Sequence, residues 1–192
     1  FELQQVATNF SDSLYTTNKN VYSTLRNGVK VKVSAGKNYD TVKLINWEDP
    51  EDNDFYIAEE VTLKGNKTKR PDIVLYINGI TIAVLELKRG IVDIGEGVRQ
   101  NITNMQDRFI KSFFATNQIL FAGNDAEGLR YGTISSPEKF YLSWKEDLED
   151  SSRLLLDKYL IKMCSKERII ELIYDFIVFE TGIKKLPRAH QY

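Results

Sequence analysis

The stretch RPDIVLYINGITIAVLELKRG, residues 70–90, holds two apolar runs around an Asn-Gly pair, and it decides the fold. Asn78-Gly79 between apolar runs is a strong signal for a β-hairpin. The same runs contain three charged side chains, Asp72, Glu86 and Lys88. Because an unpartnered buried carboxylate is costly, these charges predict a site built into the hairpin.

The register of this hairpin decides whether the two carboxylates share a face. A two-residue loop pairs Ile77 with Ile80. It then sends Asp72 and Glu86 to opposite faces, because strand side chains alternate. A three-residue loop with a left-handed glycine, or an equivalent bulge, brings both carboxylates to one face together with Lys88. We predict the three-residue loop or such a bulge.

A shared face predicts a metal site. Two neighbouring carboxylates raise each other's pKa unless a cation neutralises them. Mg²⁺ prefers oxygen ligands at ~2.1 Å, so Asp72, Glu86 and the backbone carbonyl of Leu87 are its candidate ligands. The Lys88 ammonium can orient an attacking water and stabilise charge on a phosphate. These groups together predict hydrolysis of a phosphodiester, and the alternative is a salt-bridged trio at a sheet edge.

Composition limits the other classes of function. The 192 residues suffice for one sizeable domain, and 42% hydrophobic with 28% charged residues is typical of a soluble globular protein. The single cysteine, Cys164, excludes an internal disulfide framework, and we interpret it as a structural thiol in a reducing, cytoplasmic protein. No apolar run reaches the ~18 residues that span a bilayer, so no membrane association is predicted.

The formal net charge is −1, so binding to nucleic acid must depend on local clusters of basic residues. One cluster contains Lys30 and Lys32, and a second contains Lys67, Lys69 and Arg70 directly before Asp72. Both are candidates for contacts with the phosphates of DNA. The alternative for each lysine is a charged surface that keeps the protein in solution.

Hydrophobic periodicity predicts an α/β domain with a mixed central sheet flanked by helices. The aromatic residues of RFIKSFFATN (108–117) and KFYLSW (139–144) are interpreted as core, and the alternative is stacking on nucleic-acid bases. We expect a loop at 122–132 and a helix-capping role for Ser165. The predicted helices cover 2–26, broken near 16–20, then 95–111, and two more within 152–180. The predicted strands cover 28–36, 41–47, 55–65, the hairpin of 71–88, 118–123 and 139–144.

Pro71-Asp72, followed by Glu86-Leu87-Lys88 across a strand and a turn, resembles the PD-(D/E)xK nuclease core. A more specific resemblance covers about residues 8–192. It is to the N-terminal endonuclease region of the restriction (R) subunit of type I restriction-modification enzymes, and it implies a restriction-endonuclease-like core. The blocks that carry it are LYTTNKNVY, NDFYIAEEVTLKG, KRPDIVLYINGITIAVLELKRG, GVRQNITN, FFATNQILFAGNDAEGLRYGT and PEKFYLSWKE.

That family carries a Q-x-x-x-Y motif on the helix after the second strand. Gln100 stands fourteen positions after Glu86 and matches the glutamine, so the resemblance implies that it lies near the metal and the scissile phosphate. Asn104 stands where the motif has tyrosine. An amide at this position can bond to a DNA phosphate but cannot stack as a phenol ring does.

The resemblance implies a Mg²⁺-dependent endonuclease domain over 1–182, acting on double-stranded DNA. Residues 183–192 would begin the linker into an ATP-dependent translocase, and the missing initiator Met favours a fragment of such a chain. The family's partners are methyltransferase and specificity subunits, and ATP belongs to its motor. The alternatives are a RecB-like repair nuclease and a non-catalytic module for DNA binding or docking.

Two further acids, Glu59 and Glu60, precede the hairpin. Strand alternation allows at most one of them to approach the metal as an extra ligand. The alternative for each is a solvated or salt-bridged carboxylate.

Overall fold

The computed structural model describes residues 13–32, 38–146 and 152–192. In these ranges a six-stranded mixed sheet is flanked by helices, which confirms the predicted α/β class and is consistent with a restriction-endonuclease-like core. The helices are α1 (Leu14–Asn27), α2 (Gly95–Asn104), α3 (Leu155–Met163) and α4 (Lys166–Phe176). The strands are β1 (Val29–Lys32), β2 (Tyr39–Val42), β3 (Phe55–Glu59), β4 (Ile73–Ile77), β5 (Ile80–Leu87), β6 (Ile119–Asn124), β7 (Gly128–Gly132), β8 (Leu142–Ser143), β9 (Val178–Glu180) and β10 (Ile183–Lys185).

The central sheet has the strand order β3-β4-β5-β6-β7-β8. Its neighbours pair antiparallel except β5 and β6, which are parallel and are connected through α2. Parallel neighbours require such a crossover, and a helix on one sheet face is its usual form. The crossover therefore places α2 next to the strand that carries Glu86. Two further pairs, β1-β2 and β9-β10, form separate two-stranded sheets.

The hairpin of β4 and β5 has a two-residue turn and a bulge. Asn78 and Gly79 have φ values of 51° and 75°, and Ile77 pairs with Ile80. Positive φ at both central residues is what a type I′ turn requires. The predicted three-residue loop is therefore wrong, but the equivalent bulge is present, because the register shifts at Ile82.

Apolar residues form two cores on the two faces of the sheet. The first core contains Ile82, Ala83 and Leu85 and packs beneath α1, α3 and α4. The second core contains Val84 and packs beneath α2. Because Ile82 and Ala83 are consecutive and both lie in the first core, the bulge changes which residues of β5 face each side.

Several predicted boundaries of the elements were wrong. The break expected near 16–20 does not occur, and α1 is continuous. Polar side chains in this segment bond to other parts of the protein and do not interrupt the helix. The buried Asn18 side chain, for example, donates to the backbone carbonyls of Ala115 and Asn117. The first part of the predicted N-terminal helix lies outside the described residues.

The segment 122–132 was predicted as a loop but contains the strand β7. Its glycines make room for neighbouring rings, since a Cβ at Gly132 would lie 2.8 Å from the Tyr141 ring and one at Gly128 would lie 2.9 Å from Tyr159. The cap at Ser165 is confirmed, because its side chain accepts a hydrogen bond from the backbone N–H of Arg168.

The boundary proposed at 182/183 falls between β9 and β10, which pair with one another. The division into a domain and a linker stays a prediction. Within the described ranges, no helix is long and apolar enough to cross a bilayer.

Candidate active site

The two carboxylates of the hairpin lie on one face because of the bulge. Beyond it, Ile73 pairs with Leu85, so the register places Asp72, one residue before β4, opposite Glu86. Without the extra residue in β5, the two side chains would alternate to opposite faces. The face they occupy is that of Val84 and the second core.

Asp72 is tied to the neighbouring strand by its side chain. Its Oδ2 accepts a hydrogen bond of 2.7 Å from the backbone N–H of Leu87. This bond continues the pairing of the two strands by one residue beyond the backbone ladder. The carboxylate is thereby fixed beside Glu86 with its second oxygen not used by this bond.

Glu86 is completely buried. Burial, and after it the negative charge of Asp72, raise the pKa of its carboxyl group to about 8. The ammonium groups of Lys88 and Lys69 act in the opposite direction. The burial and the neighbouring carboxylate make this a position where an added positive charge is strongly favoured.

A hydrogen-bonded network joins the remaining predicted site residues to Glu86. The Lys88 Nζ donates to the backbone carbonyl of Leu87 at 3.1 Å and to Gln100 Oε1 at 2.8 Å. Gln100 Nε2 in turn donates to Glu86 Oε2 at 2.5 Å. The Gln100 amide therefore bridges a cation and a carboxylate, and the same cation contacts the Leu87 carbonyl.

Helix α2 presents a second amide to Glu86. Asn104 Nδ2 lies 3.4 Å from Glu86 Oε1, four residues after Gln100 on the same helix face. The helix approaches the strand closely at Gly97, where a Cβ would lie 3.3 Å from the Glu86 carbonyl oxygen. The residue that departs from the Q-x-x-x-Y motif therefore contacts the same carboxylate as the residue that matches it.

The donor set fits a hard divalent cation. Asp72, Glu86 and the Leu87 carbonyl supply oxygen ligands of the type that Mg²⁺ prefers. Among the described residues, neither carboxylate forms an ion pair with a lysine or arginine within 4.0 Å. Within the described ranges, two adjacent carboxylates, one of them buried, thus lack an ion pair that would neutralise them.

No third acidic, histidine or cysteine side chain joins this pair in the parts of the chain that the structure describes. Glu60 instead forms an ion pair of 3.3 Å with Arg70, which is the salt-bridged alternative. Glu59 ends β3 and is exposed.

The predicted DNA-binding residues are distributed over two places. Lys30 and Lys32 lie on the separate β1-β2 sheet, and none of their described contacts reaches the carboxylates. Lys67 and Lys69 lie beside the Phe109 ring, and Lys69 acts electrostatically on Glu86. The structure therefore brings one basic cluster to the site and leaves the other on a different sheet.

Sequence reasoning missed two features of this region. It left Asn104 without a contact to Glu86, although the spacing of four residues from Gln100 places both on one helix face. It also interpreted Phe109 as core, whereas Phe109 is only partly buried and has Arg108, Lys67 and Lys69 around its ring. The sequence did not indicate that cations surround Phe109, because the two loops that meet at this ring are about forty residues apart in the chain.

Comparison with known proteins gives a consistent result. Residues 2–139 match the family described as type I restriction enzyme R protein N terminus. The type I restriction enzyme HindI endonuclease subunit of Haemophilus influenzae is 27% identical over 197 residues, covering 93% of this chain and 18% of that protein. A relative from Methanocaldococcus jannaschii, provisionally named a type I restriction enzyme endonuclease subunit, is 28% identical over 187 residues, covering 83% of this chain and 18% of that protein. The chain thus spans less than a fifth of the length of these relatives.

Proposed function

Since the chain belongs to the family of the type I restriction enzyme R protein N terminus, we propose that it is a Mg²⁺-dependent endonuclease domain that hydrolyses phosphodiester bonds of double-stranded DNA. The observation that carries the proposal is the pairing of Asp72 with Glu86 on one face of the hairpin, without an ion pair to a lysine or arginine of the described residues. The network around Glu86 adds a lysine and an amide at the same pocket.

Asp72, Glu86 and the Leu87 carbonyl would hold the metal. When bound, Mg²⁺ supplies a Lewis acid for the phosphate and makes water a better nucleophile. The protein's own groups then hold the reacting parts in place. The Asp72 carboxylate is fixed by the Leu87 N–H, and Glu86 is oriented by the Gln100 amide.

Lys88 is the group best placed to serve the water and the phosphate. Its ammonium is held between the Leu87 carbonyl and Gln100 Oε1, so it is directed into the pocket. A fixed ammonium stabilises negative charge as it develops on the phosphate, at no cost of reorganisation during the reaction. Gln100 positions this ammonium and Glu86 together.

Because the chain matches the N terminus of R proteins, we expect the proposed domain to work within a larger R subunit. That subunit would carry an ATP-dependent DNA translocase, and it would assemble with methyltransferase and specificity subunits in the cytoplasm. Without recognition motifs of its own, the domain would cleave DNA with little sequence preference, and the partners would select the site.

The test is to place Asp72→Ala, Glu86→Ala and Lys88→Ala separately in the full R subunit of the assembled complex. We expect DNA cleavage to be lost in each variant while ATP hydrolysis persists, because only the hairpin site is changed. Cleavage that survives all three substitutions contradicts the proposal. Cleavage restricted to linear DNA with free ends would identify an exonucleolytic, RecB-like enzyme instead.

A further inference from the structure

Three cations surround one aromatic ring beside the carboxylate site. The distances to the centroid of the Phe109 ring are 4.3 Å for Lys69 Nζ, 5.0 Å for the guanidinium carbon of Arg108 and 5.8 Å for Lys67 Nζ. We call these four residues the Phe109 cluster. A cation over an aromatic face is attracted by the negative potential of that face. The ring therefore holds the three charges close to one another.

The cluster is built by two loops that fit together closely. Asn66 donates from its backbone N–H to the Phe109 carbonyl at 3.0 Å, and from its side chain to the Asp107 carbonyl at 2.5 Å. A Cβ at Gly65 would lie 2.3 Å from the same Phe109 carbonyl oxygen, so only glycine allows this approach. These contacts fix the loop that carries Lys67 and Lys69 against the loop that carries Arg108.

In the described ranges none of the three cations forms an ion pair, although Lys69 is three residues before Asp72. Two other acids near them in sequence are paired with other cations. Asp107 pairs with Lys111 at 2.6 Å and Glu60 pairs with Arg70 at 3.3 Å. Three like charges on one ring repel each other, and a polyanion at this surface would relieve that repulsion.

The cluster is continuous with the site. Lys69 is three residues before Asp72, in the segment that leads directly into β4, and its backbone pairs with Leu63. Arg108 follows α2, the helix that carries Gln100 and Asn104. A strand of nucleic acid with one phosphate at the carboxylates would therefore have neighbouring phosphates within reach of these cations.

We infer that the Phe109 cluster is a docking surface for the sugar–phosphate backbone of the DNA strand that enters the carboxylate site. The inference rests on the proposed nuclease function, because that function sets the substrate. Ammonium and guanidinium groups at this surface would contact phosphates and not base edges, so the contact is independent of the DNA sequence. Arg70, which is already paired with Glu60, contributes less than the three cations, which form no ion pair with any described residue.

Crosslinking tests the contact without depending on cleavage. The photoreactive residue p-azidophenylalanine replaces Phe109 in the full R subunit, in an Asp72→Ala background that leaves the DNA intact, and the assembled complex is irradiated on DNA with ATP. The control position is Phe176, the last residue of α4. This helix packs against the first core on the other face of the sheet. We expect at least ~10-fold more DNA adduct at 109 than at 176. Charge removal by Lys67→Gln, Lys69→Gln and Arg108→Gln together should lower the yield at 109 several-fold.

Salt dependence of cleavage tests the charges themselves. Each phosphate contact adds about 0.9 to the slope of log affinity against log salt, so the triple Gln variant should lose up to about three units of slope. Its cleavage at 0.2 M salt should fall at least ~10-fold, while ATP hydrolysis stays unchanged. Lys162→Gln, an exposed charge on α3, and Arg70→Gln are matched controls with smaller effects.

The crosslinking and salt experiments, compared with the Ala variants of the carboxylates, separate the inference from the proposed function. If the Ala variants of the carboxylates abolish cleavage, but position 109 gives no more adduct than 176 and the triple variant cleaves normally at high salt, the docking surface is wrong and the nuclease stands. If cleavage survives the Ala variants while the adduct at 109 forms and depends on the cations, the surface stands and the catalytic assignment is wrong.

Discussion

The Asp72 carboxylate accepts a hydrogen bond of 2.7 Å from the backbone N–H of Leu87, so an acid of the proposed metal site also completes the pairing of two strands. One oxygen maintains the hairpin, and the charge of the group acts on Glu86. These two roles can be separated, because an amide oxygen also accepts a hydrogen bond but carries no charge.

Asp72→Asn should abolish cleavage while leaving the hairpin intact. In the proposed mechanism a bound divalent metal would contribute several kcal/mol to the reaction, so cleavage should fall at least about 100-fold. The exchange rate of the Leu87 amide hydrogen should change little in Asp72→Asn but rise in Asp72→Ala, where an unpaired N–H costs about 1–3 kcal/mol. The Lys88 amide, which donates to the Gly123 carbonyl at 2.9 Å, is the internal control. Equal exchange at Leu87 in both variants would contradict the structural role.

Gly97→Ala should lower activity more than stability. The new methyl group would lie 3.1 Å from the Ala122 Cβ and 3.3 Å from the Glu86 carbonyl oxygen, so α2 must shift by a few tenths of an ångström. The cost of this overpacking, about 1–3 kcal/mol, is offset by the ~1 kcal/mol preference of a helix for alanine over glycine. The shift moves Gln100 relative to Glu86, and we expect about a 10-fold loss of cleavage in a single-turnover assay.

The matched control for this change is Gly90→Ala. The atoms nearest to its added Cβ belong to Ala126 at 3.8 and 3.9 Å, which is ordinary contact. Cleavage by Gly90→Ala should therefore remain near the wild-type rate. If the two alanine variants cleave DNA equally well, close approach of α2 to β5 does not set the geometry of the site.

The two amides of α2 should contribute unequally to cleavage. Gln100 bonds Glu86 at 2.5 Å and Lys88 at 2.8 Å, whereas Asn104 reaches Glu86 only at 3.4 Å. Gln100→Leu should therefore lower the single-turnover rate at least ~10-fold more than Asn104→Leu does. The Asn104 Oδ1 is buried and has no hydrogen-bond partner in the described part of the chain, so its replacement by leucine removes a group that is costly to bury. A larger loss in Asn104→Leu than in Gln100→Leu would contradict this order.

Much of the site follows from the sequence, because its spacing limits the geometry. Asp72 and Glu86 can share a metal only if the register between them shifts by one residue, and that condition predicted a loop or a bulge. The choice between them depended on tertiary packing. Asn78 and Gly79 suit a two-residue turn. Ile82 is the extra residue of the bulge, and its side chain packs in the first core beside Ala83.

The missed features depend on contacts between distant parts of the chain. A helix break was expected near residues 16–20, but Asn18 in this segment is buried against carbonyls near residue 115, almost one hundred positions away. The Phe109 cluster likewise forms only when the loop of Asn66 meets the loop of Asp107. Local propensity does not contain such contacts, so neither feature is visible before the chain is folded.

Lys184 should make the stability of the C-terminal β9-β10 pair depend on pH. Its ammonium is buried, and its contacts are Asn18 Oδ1 at 2.9 Å and Gln118 Oε1 at 2.7 Å. Burial lowers its pKa well below the ordinary value of 10.5, because it disfavours the charged form. Between the lowered pKa and 10.5 the unfolded chain binds one more proton than the folded chain, so stability rises with pH in that window.

The comparison that isolates this effect is Lys184→Met against the wild type. The slope is at most about 1.4 kcal/mol per pH unit for one proton, and it is absent in the variant. Hydrogen exchange of residues 178–185, corrected for intrinsic rates, should show wild-type protection rising relative to Lys184→Met from pH 7 to 10. Burial raises the pKa of the Cys164 thiol to about 12, and its ionisation is common to both proteins, so it cancels in the comparison of wild type with Lys184→Met.

The control variant is Lys185→Met, which removes an exposed ammonium paired with Glu180 and should keep the wild-type slope. A slope lost in both variants would show that burial of Lys184 is not its cause.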